Sequence, residues 1–294
     1  LKQQGELYRR LRNTLRWLLG GLDGFTDAEV LPYAELPELE RWVLHRLSEL
    51  GGLVARAVET HEWVGVYPAL HGFCTTDLSA FYFDIRKDAL YCDAPSSPTR
   101  RAVRTVLDVL HRCLSTWLAP VLVFTAEEAW AARFGDQASV HEQAFPDLPV
   151  EWTDTALEER WARIRSVRRI ITTEIEGARR AGTIGSSLQA QVELTFSEEE
   201  ASIFAGVNWS ELAIVSHVEV LIDPTSSSVY VEGDEGGTLH GAPVVRVAEG
   251  EKCARCWKVL PETGSNPAYP GVCPRCADVV AQSGFASVSV QAGA

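Results

Sequence analysis

The chain has 294 residues, which is enough for two or three compact units, each with a buried core. Hydrophobic residues make up 46% and charged residues 23%, as in ordinary globular proteins, and no apolar run approaches the roughly 20 residues that a membrane helix needs. The first ten residues contain no apolar stretch of the kind found in signal peptides. We therefore expect no membrane partner and a reducing, cytoplasmic setting.

The net charge of −13 argues against a polyanionic partner such as nucleic acid. The distribution of the charge weakens this objection. Residues 1–16 contain five basic side chains and one acidic one, whereas residues 27–40 contain five acidic side chains and no basic one. We therefore expect separate basic and acidic faces on the folded protein.

Methionine is absent from the sequence, which begins with Leu1. We expect the chain to be a piece of a longer protein, so a catalytic centre could lie in a part that is not included.

The first predicted element is an amphipathic helix over residues 5–22, because its leucines recur at helical spacing and a pair of glycines marks its end. The face opposite the leucines can lie along a phosphate backbone. It carries four candidate contacts with nucleic acid: Arg9, Arg12, Asn13 and Arg16. The alternative is a solvated face on which one arginine pairs with Glu6.

Apolar periodicity predicts five more helices before residue 182. Their expected ranges are about 38–61, about 67–91, 98 to shortly before Pro120, a helix from about 125, and 155–181. Aromatic residues in the third helix are expected to be core residues. The first 180 residues thus predict a helical bundle.

Two features of these helices are interpreted as structural. Asp108 lies four residues from both Arg104 and Arg112, which is the spacing of a surface ion ladder. Glu127 and Glu128 resemble paired catalytic carboxylates, but the segment from Thr125 to Glu128 is better interpreted as a helix capping box.

The pattern changes after Gly185. Residues 189–196 and 227–233 alternate as short strands do, and the segments SEEE, DPTSSS and GDEGG between and after them have turn or loop compositions. We therefore predict a long helix with a small α+β junction over 151–243, a metal-binding domain over 244–283 and a disordered tail over 284–294, after a helical domain over 1–150.

The metal-binding prediction rests on two C-x-x-C pairs that are separated by sixteen residues. They consist of Cys253, Cys256, Cys273 and Cys276. Four protein thiolates fill a tetrahedral Zn²⁺ shell and leave no position for water, so the zinc would be structural. Disulfides, unligated thiols or an iron centre with the same ligands are the alternatives. Three other cysteines, Cys74, Cys92 and Cys113, are expected to be core residues without partners.

The predicted zinc knuckle has a basic rim, since residues 252–276 contain four basic side chains and one acidic one. Arg255 and Lys258 could contact phosphates, and Trp257 could stack on an unpaired base. The alternative, which the sequence leaves open, is that Trp257 covers the zinc as a miniature core.

Five segments together resemble bacterial isoleucyl-tRNA synthetases, in the same order and over nearly the whole chain. The earlier segments are shared with the valyl and leucyl enzymes, and the cysteine module after the junction indicates the isoleucyl family. The segments are YRRLRNTLRWLLGGLDGF at 8–25, APVLVFTAEEAW at 119–130, SVHEQAFP at 139–146, IGSSLQAQVEL at 184–194, and KCARCW at 252–257 with CPRC at 273–276.

The resemblance implies a mainly α chain: a helical-bundle anticodon-binding domain, a small α+β junction and a C-terminal four-cysteine zinc ribbon. It also implies a ligase that attaches isoleucine to its tRNA with ATP and Mg²⁺, although the HIGH and KMSKS signatures of the catalytic core do not occur here. This chain would bind and orient the anticodon stem-loop, joined to catalytic and editing domains of the same parent, which is generally monomeric.

Two other functional classes are alternatives. A helical protein-interaction scaffold with a zinc ribbon and no affinity for RNA would agree with the net charge of −13. A zinc-dependent hydrolase would need an open metal position, which four cysteine ligands do not leave.

Overall fold

The computed structural model describes residues 2–135, 137–225, 229–230, 238–239 and 242–282. These residues form two compact units. The first contains the described residues up to Thr155 except 92–94, and the second contains 92–94 and the described residues from Ala156 onward. The predicted domain limits stay predictions, and the predicted tail at 284–294 lies outside the described residues.

The first unit is helical, as predicted. The expected helix at 67–91 is one run in which α3, a π-helical segment and α4 follow each other without a break. In this part of the chain the helices are α1 Lys2–Gly21, α2 Glu38–Thr60, α3 Val66–Gly72, the π-helical segment Phe73–Tyr82, α4 Phe83–Cys92, α5 Pro98–Leu118 and α6 Val123–Phe134.

The helix α5 lies at the centre of the first unit, where it packs against α1, α2 and α6. Its start has the expected form, because the Ser97 hydroxyl accepts from the backbone N–H of Arg100 and Pro98 occupies the first turn. Its apolar stripe is buried together with leucines of α1 and Trp42 of α2. The aromatic residues at 81–83 are also buried, as predicted, but Tyr91 near the end of the same helical run is 66% exposed, so the prediction is wrong there.

The predicted capping box at Thr125 is wrong. The helix α6 begins two residues earlier, at Val123, and no side chain caps its first turn. The two glutamates instead contact other segments: the Glu127 carboxylate accepts from the backbone N–H of Val140 at 2.9 Å, and Glu128 faces Arg12 at 3.6 Å. The motif alone cannot show that the chain is already helical before the threonine.

The predicted ion ladder on α5 is only half correct. Arg112 does pair with Asp108 at 2.8 Å, but Arg104 is buried and pairs with Glu29 at 3.0 Å. Asp108 takes its second cation from Arg133, at 3.1 Å. The ladder is therefore a partly buried network that ties α5 to neighbouring segments.

The second unit combines the long helix α7 with a three-stranded sheet. Strand β1 lies in the middle, parallel to β2 and antiparallel to β5. Two short helices connect β1 to β2, and the first of them corrects the loop expected at SEEE, since Ser197 and Glu200 form a capping box there. The elements are α7 Thr155–Arg180, β1 Ala190–Phe196, α8 Glu198–Ile203, α9 Trp209–Leu212, β2 His217–Ile222, β3 Val229–Tyr230, β4 Thr238–Leu239 and β5 Val244–Val247.

Two arginines of α7 hold the junction instead of facing solvent. Arg160 donates from Nε to the backbone oxygen of Ile203 at 3.0 Å, and Arg168 donates to that of Leu212 at 2.6 Å. The inward face of the sheet is apolar, because Val192, Leu194 and Phe196 alternate with more exposed residues along β1. Among the described residues, no helix is long and apolar enough to cross a membrane.

The cysteine-bearing segment completes the second unit. Strands β6 Glu251–Lys252 and β7 Val259–Leu260 pair antiparallel, and helix α10 Pro274–Gln282 follows. Ser216 ties this hairpin to the junction: its buried hydroxyl donates to the backbone oxygen of Leu188 at 2.6 Å and accepts from the N–H of Val259 at 2.7 Å. The mainly α architecture, with a small α+β junction and a four-cysteine knuckle, is confirmed.

Candidate functional site

The four cysteines predicted to bind zinc come together in the second unit. Their sulfur atoms all lie within 4.8 Å of one another, and each cysteine is buried. The Sγ atoms of Cys256 and Cys273 are 3.9 Å apart. A tetrahedral ion with metal–sulfur bonds of about 2.3 Å requires sulfur–sulfur distances of about 3.8 Å. The cluster therefore fits one Zn²⁺ with four thiolate ligands.

Local backbone structure positions these sulfur atoms. Cys253 and Cys256 lie in the turn of the hairpin, where the N–H of Cys253 donates to the backbone oxygen of Lys258 at 2.8 Å. Cys273 immediately precedes α10 and Cys276 lies in its first turn. The hairpin and the helix thus supply two ligands each.

The surroundings of Cys256 raise its affinity for a proton. A hydrogen bond with the thiol of Cys276 is the largest cause and burial the second, and together they raise the pKa of Cys256 to about 12. A metal ion must therefore displace protons from these groups when it binds. Metal retention is expected to weaken as the pH falls.

Cys92 corrects the expectation that the other three cysteines have no partners. It belongs to the same buried cluster as the four candidate ligands, and its thiol donates to the backbone oxygen of Arg255 at 3.8 Å. Arg255 in turn donates to the backbone oxygen of Cys92 and lies 3.8 Å from the sulfur of Cys276. The half-buried Arg255 thus supports the cysteine cluster, in addition to its predicted contact with a phosphate.

The remaining two cysteines are ordinary core residues, as predicted. Cys74 and Cys113 are buried within the first unit, and burial raises the pKa of each thiol to about 12. Neither is part of the metal cluster.

Trp257 is largely solvent-exposed, with 59% of its surface accessible. Its backbone is left-handed, with φ of 67°, a conformation that costs a large side chain about 1 kcal/mol or more. The ammonium group of Lys252 lies 5.3 Å from its ring centroid. A miniature-core role predicts burial, so the exposed ring favours the alternative in which Trp257 presents a stacking face.

The basic face of α1 is exposed as predicted. Arg9, Arg12, Asn13 and Arg16 are all solvent-accessible, while the leucines of the opposite face are buried. Arg9 pairs with Glu6, which was the alternative interpretation for one arginine. Arg12 and Arg16 line a cleft between α1 and α6.

Two aromatic residues near this cleft were not among the predicted site residues. The hydroxyl group of Tyr8 is hydrogen-bonded to that of Thr125 at 3.0 Å, and Thr125 lines the cleft. Phe124, the preceding residue, is 88% exposed. Exposed aromatic rings near arginines are typical of surfaces that bind single-stranded nucleic acid. In the sequence both lie in segments that carry the family resemblance, Tyr8 at the start of YRRLRNTLRWLLGGLDGF and Phe124 within APVLVFTAEEAW.

Two family models match the chain. Residues 40–194 match the anticodon-binding domain of tRNA ligases, and residues 250–279 match the zinc finger found in FPG and IleRS. The second match covers all four clustered cysteines. It agrees with a structural zinc in this module.

Curated relatives carry the name isoleucine–tRNA ligase. The chain is 67% identical to the one from Gluconobacter oxydans over 280 residues, which cover 95% of this chain. It is 46% identical to that from Ruegeria pomeroyi over 94% of the chain and 44% identical to that from Agrobacterium fabrum over 92%. The chain spans 28% of the length of each of these relatives.

Proposed function

Because the chain belongs to the anticodon-binding domain family of tRNA ligases, we propose that it binds and orients the anticodon stem-loop of an isoleucine tRNA. The observation that carries the proposal is the exposed basic face of α1, on which Arg12, Asn13 and Arg16 lie opposite buried leucines. Guanidinium groups along a helix can follow a phosphate backbone and fix its register.

The proposed parent is an isoleucine–tRNA ligase, as in the named relatives. ATP, Mg²⁺ and isoleucine would bind in catalytic and editing domains outside these 294 residues, and the parent would act in the cytoplasm as a monomer. This chain would contribute binding energy and orientation, which bring the acceptor end of the tRNA to the reacting groups.

We assign Cys253, Cys256, Cys273 and Cys276 as the ligands of one zinc ion. The ion would hold the knuckle folded and leave no open position for chemistry. Trp257 would stack on an unpaired loop base, and Lys258 and Arg255 would add positive charge beside it. The left-handed backbone of Trp257 and the 59% exposure of the residue support this role, since a tryptophan that served only packing would be buried and unstrained.

The first test is binding of the chain to an isoleucine tRNA transcript at several salt concentrations. Phosphate contacts predict weaker binding as salt rises, and Arg16→Ala should reduce the slope of log affinity against log salt by about one. Arg56→Ala, which removes an exposed arginine of α2, is the matched control and should leave the slope unchanged. Binding that is absent or independent of salt would favour the scaffold alternative.

The second test separates stacking from folding at Trp257. Trp257→Gly relieves the left-handed strain, so the metal-loaded knuckle should become more stable while RNA affinity falls by about fivefold or more. Trp257→Phe keeps an aromatic face and should retain most of the affinity. If Trp257→Gly binds RNA as well as the unchanged chain, Trp257 has no part in recognition.

A further inference from the structure

The cleft between α1 and α6 has features of a base-binding pocket, an inference that rests on the proposed RNA-binding function. Its volume is about 340 Å³, which lies in the range of pockets that hold small organic groups. Four residues of α1 and four of α6 line it. They are Arg12, Leu15, Arg16 and Leu19, with Thr125, Glu128, Ala129 and Ala132.

The lining separates apolar walls from a charged rim. The apolar part of the lining consists of Leu15, Leu19, Ala129 and Ala132, and the face of a planar base can pack against such aliphatic side chains. Arg12 and Arg16 are solvent-accessible, so their guanidinium groups can reach phosphates outside the cleft. A nucleotide needs this combination, since its base is weakly polar on its faces and its phosphate is charged.

The carboxylate of Glu128 can distinguish guanine from adenine. Its carboxylate is 3.6 Å from the guanidinium of Arg12, beyond hydrogen-bond length, and its side chain is 70% exposed. Both oxygens of a carboxylate can accept hydrogen bonds. Guanine presents two adjacent donors, N1–H and the 2-amino group, on its Watson–Crick edge, whereas adenine places an acceptor at N1 and would face the carboxylate unfavourably.

A hydrogen bond joins α1 to α6 at Thr125, one of the residues that line the cleft. The hydroxyl groups of Tyr8 and Thr125 are 3.0 Å apart, so the N-terminal end of α6 is tied to α1 at this point. The exposed ring of Phe124 is adjacent in sequence. Unstacked bases of RNA loops are commonly held on aromatic or guanidinium faces and identified by their edges.

We propose that this cleft binds an unstacked guanine of the RNA loop. Glu128 accepts hydrogen bonds from N1–H and the 2-amino group, the aliphatic walls cover the base, and Arg12 and Arg16 donate to the flanking phosphates. The occupant is a guanosine within RNA, because a free nucleotide would use the same edge but would lack the phosphates on both sides that two arginines can bind.

The test uses the full chain and stem-loop RNAs in which each loop guanosine is replaced in turn by inosine, which lacks only the 2-amino group. One of these replacements should weaken binding about tenfold, the scale on which a good two-point base contact discriminates. Glu128→Gln should weaken binding of the unmodified RNA and abolish the difference between guanosine and inosine at that position. Glu142→Gln, an exposed carboxylate of the same unit, is the control and should preserve the difference.

The outcomes distinguish this inference from the proposed function. If the unmodified RNA binds but no inosine replacement matters, or if the difference persists in Glu128→Gln, the guanine site is wrong and the RNA-binding function stands. If guanosine monophosphate alone competes as well as the stem-loop, the cleft is a nucleotide site and the assignment to RNA is wrong. If no RNA binds at all, both proposals fail.

Discussion

Arg86 and Glu40 form a buried, two-point ion pair between residues 46 positions apart in the sequence. The guanidinium donates from Nε and Nη2 to the two carboxylate oxygens, each at 2.7 Å. The Tyr82 hydroxyl donates to the same carboxylate at 3.2 Å. Burial, and then the charge of Glu40, raise the pKa of Tyr82 well above its ordinary value, so the phenol remains a donor. This network joins α2 to the helical run that contains α4.

Removing one partner of this pair should be strongly destabilising. Arg86→Met leaves the Glu40 carboxylate buried without its cation, and we expect the free energy of unfolding to fall by about 3–5 kcal/mol. Urea denaturation followed by far-ultraviolet circular dichroism measures the change.

Two further variants show whether the loss comes from the buried charge. The double variant Glu40→Gln with Arg86→Met removes both charges and should lose less stability than Arg86→Met alone. Lys87→Ala breaks an exposed pair with Asp84 and should change stability by less than about 1 kcal/mol. A double variant as unstable as Arg86→Met would mean that packing, and not charge, accounts for the loss.

His111 should make the stability of the first unit depend on pH. Its Nε2 lies 3.2 Å from the backbone oxygen of Ala129, to which it can donate, and burial lowers its pKa to about 4. The unfolded chain takes up a proton near pH 6.5, whereas the folded protein does so only near pH 4. The contribution of the neutral His111 to the free energy of unfolding is therefore complete above pH 6.5 and is lost as the pH falls from 6.5 to 4.

Between pH 7.5 and pH 5 this difference amounts to about 2 kcal/mol in the free energy of unfolding. His111→Gln keeps a donor for the same oxygen but does not titrate. Between pH 7.5 and pH 5, the free energy of unfolding of this variant should therefore fall by about 2 kcal/mol less than that of the unchanged protein. Chemical denaturation of both proteins at the two pH values gives the comparison. Equal losses in both would show that other groups cause the pH dependence.

The sequence predicts the helices well because each has one broad apolar stripe. α2 and α7 lie within one residue of their expected ends, since local periodicity and end signals agree there. The π-helical segment at Phe73–Tyr82 was not predicted. Its path depends on packing against other helices, and nothing in the local pattern distinguishes it from an α-helix.

The candidate site is only partly encoded in local sequence. The four cysteines are predictable because ligand spacing is a local property. The position of Cys92 beside them is not predictable. Cys92 lies 161 residues before Cys253, and this spacing does not match a metal-binding motif. The cleft that contains Glu128 likewise depends on how α6 packs against α1, and periodicity alone does not specify which faces of two helices meet.

Removal of the metal should unfold the knuckle and leave the helical bundle intact. The hairpin and α10 surround the cysteine cluster with few apolar side chains, so metal binding supplies most of their folding free energy, on the order of 10 kcal/mol in small zinc domains. Chelation should release one zinc ion per chain and change the fluorescence of Trp257. Far-ultraviolet circular dichroism should change little, because most helix lies in the first unit.

Substitutions separate the ligands from the other cysteines. Cys273→Ser should abolish stoichiometric zinc, whereas Cys113→Ala, in the core of α5, should retain one ion per chain despite lower stability. Arg255→Leu removes the brace on Cys92 and Cys276 and should weaken zinc affinity about 10- to 100-fold. Zinc retention by Cys273→Ser at unchanged affinity would contradict the four-ligand assignment.

Gly250 should be indispensable for the knuckle, because it permits a close backbone approach. Its φ is +108°, and a Cβ atom there would lie 2.2 Å from the carbonyl carbon of Leu260. Gly250→Ala must therefore push apart the two strands of the hairpin that holds Cys253 and Cys256, and we expect zinc affinity to fall at least tenfold. Gly20→Ala in α1 meets nothing within 4 Å and should keep zinc affinity while stabilising the helix by about 0.5–1 kcal/mol. Metal titration with a chromophoric chelator compares the two, and unchanged zinc affinity in Gly250→Ala would show that the hairpin can relax without moving the ligands.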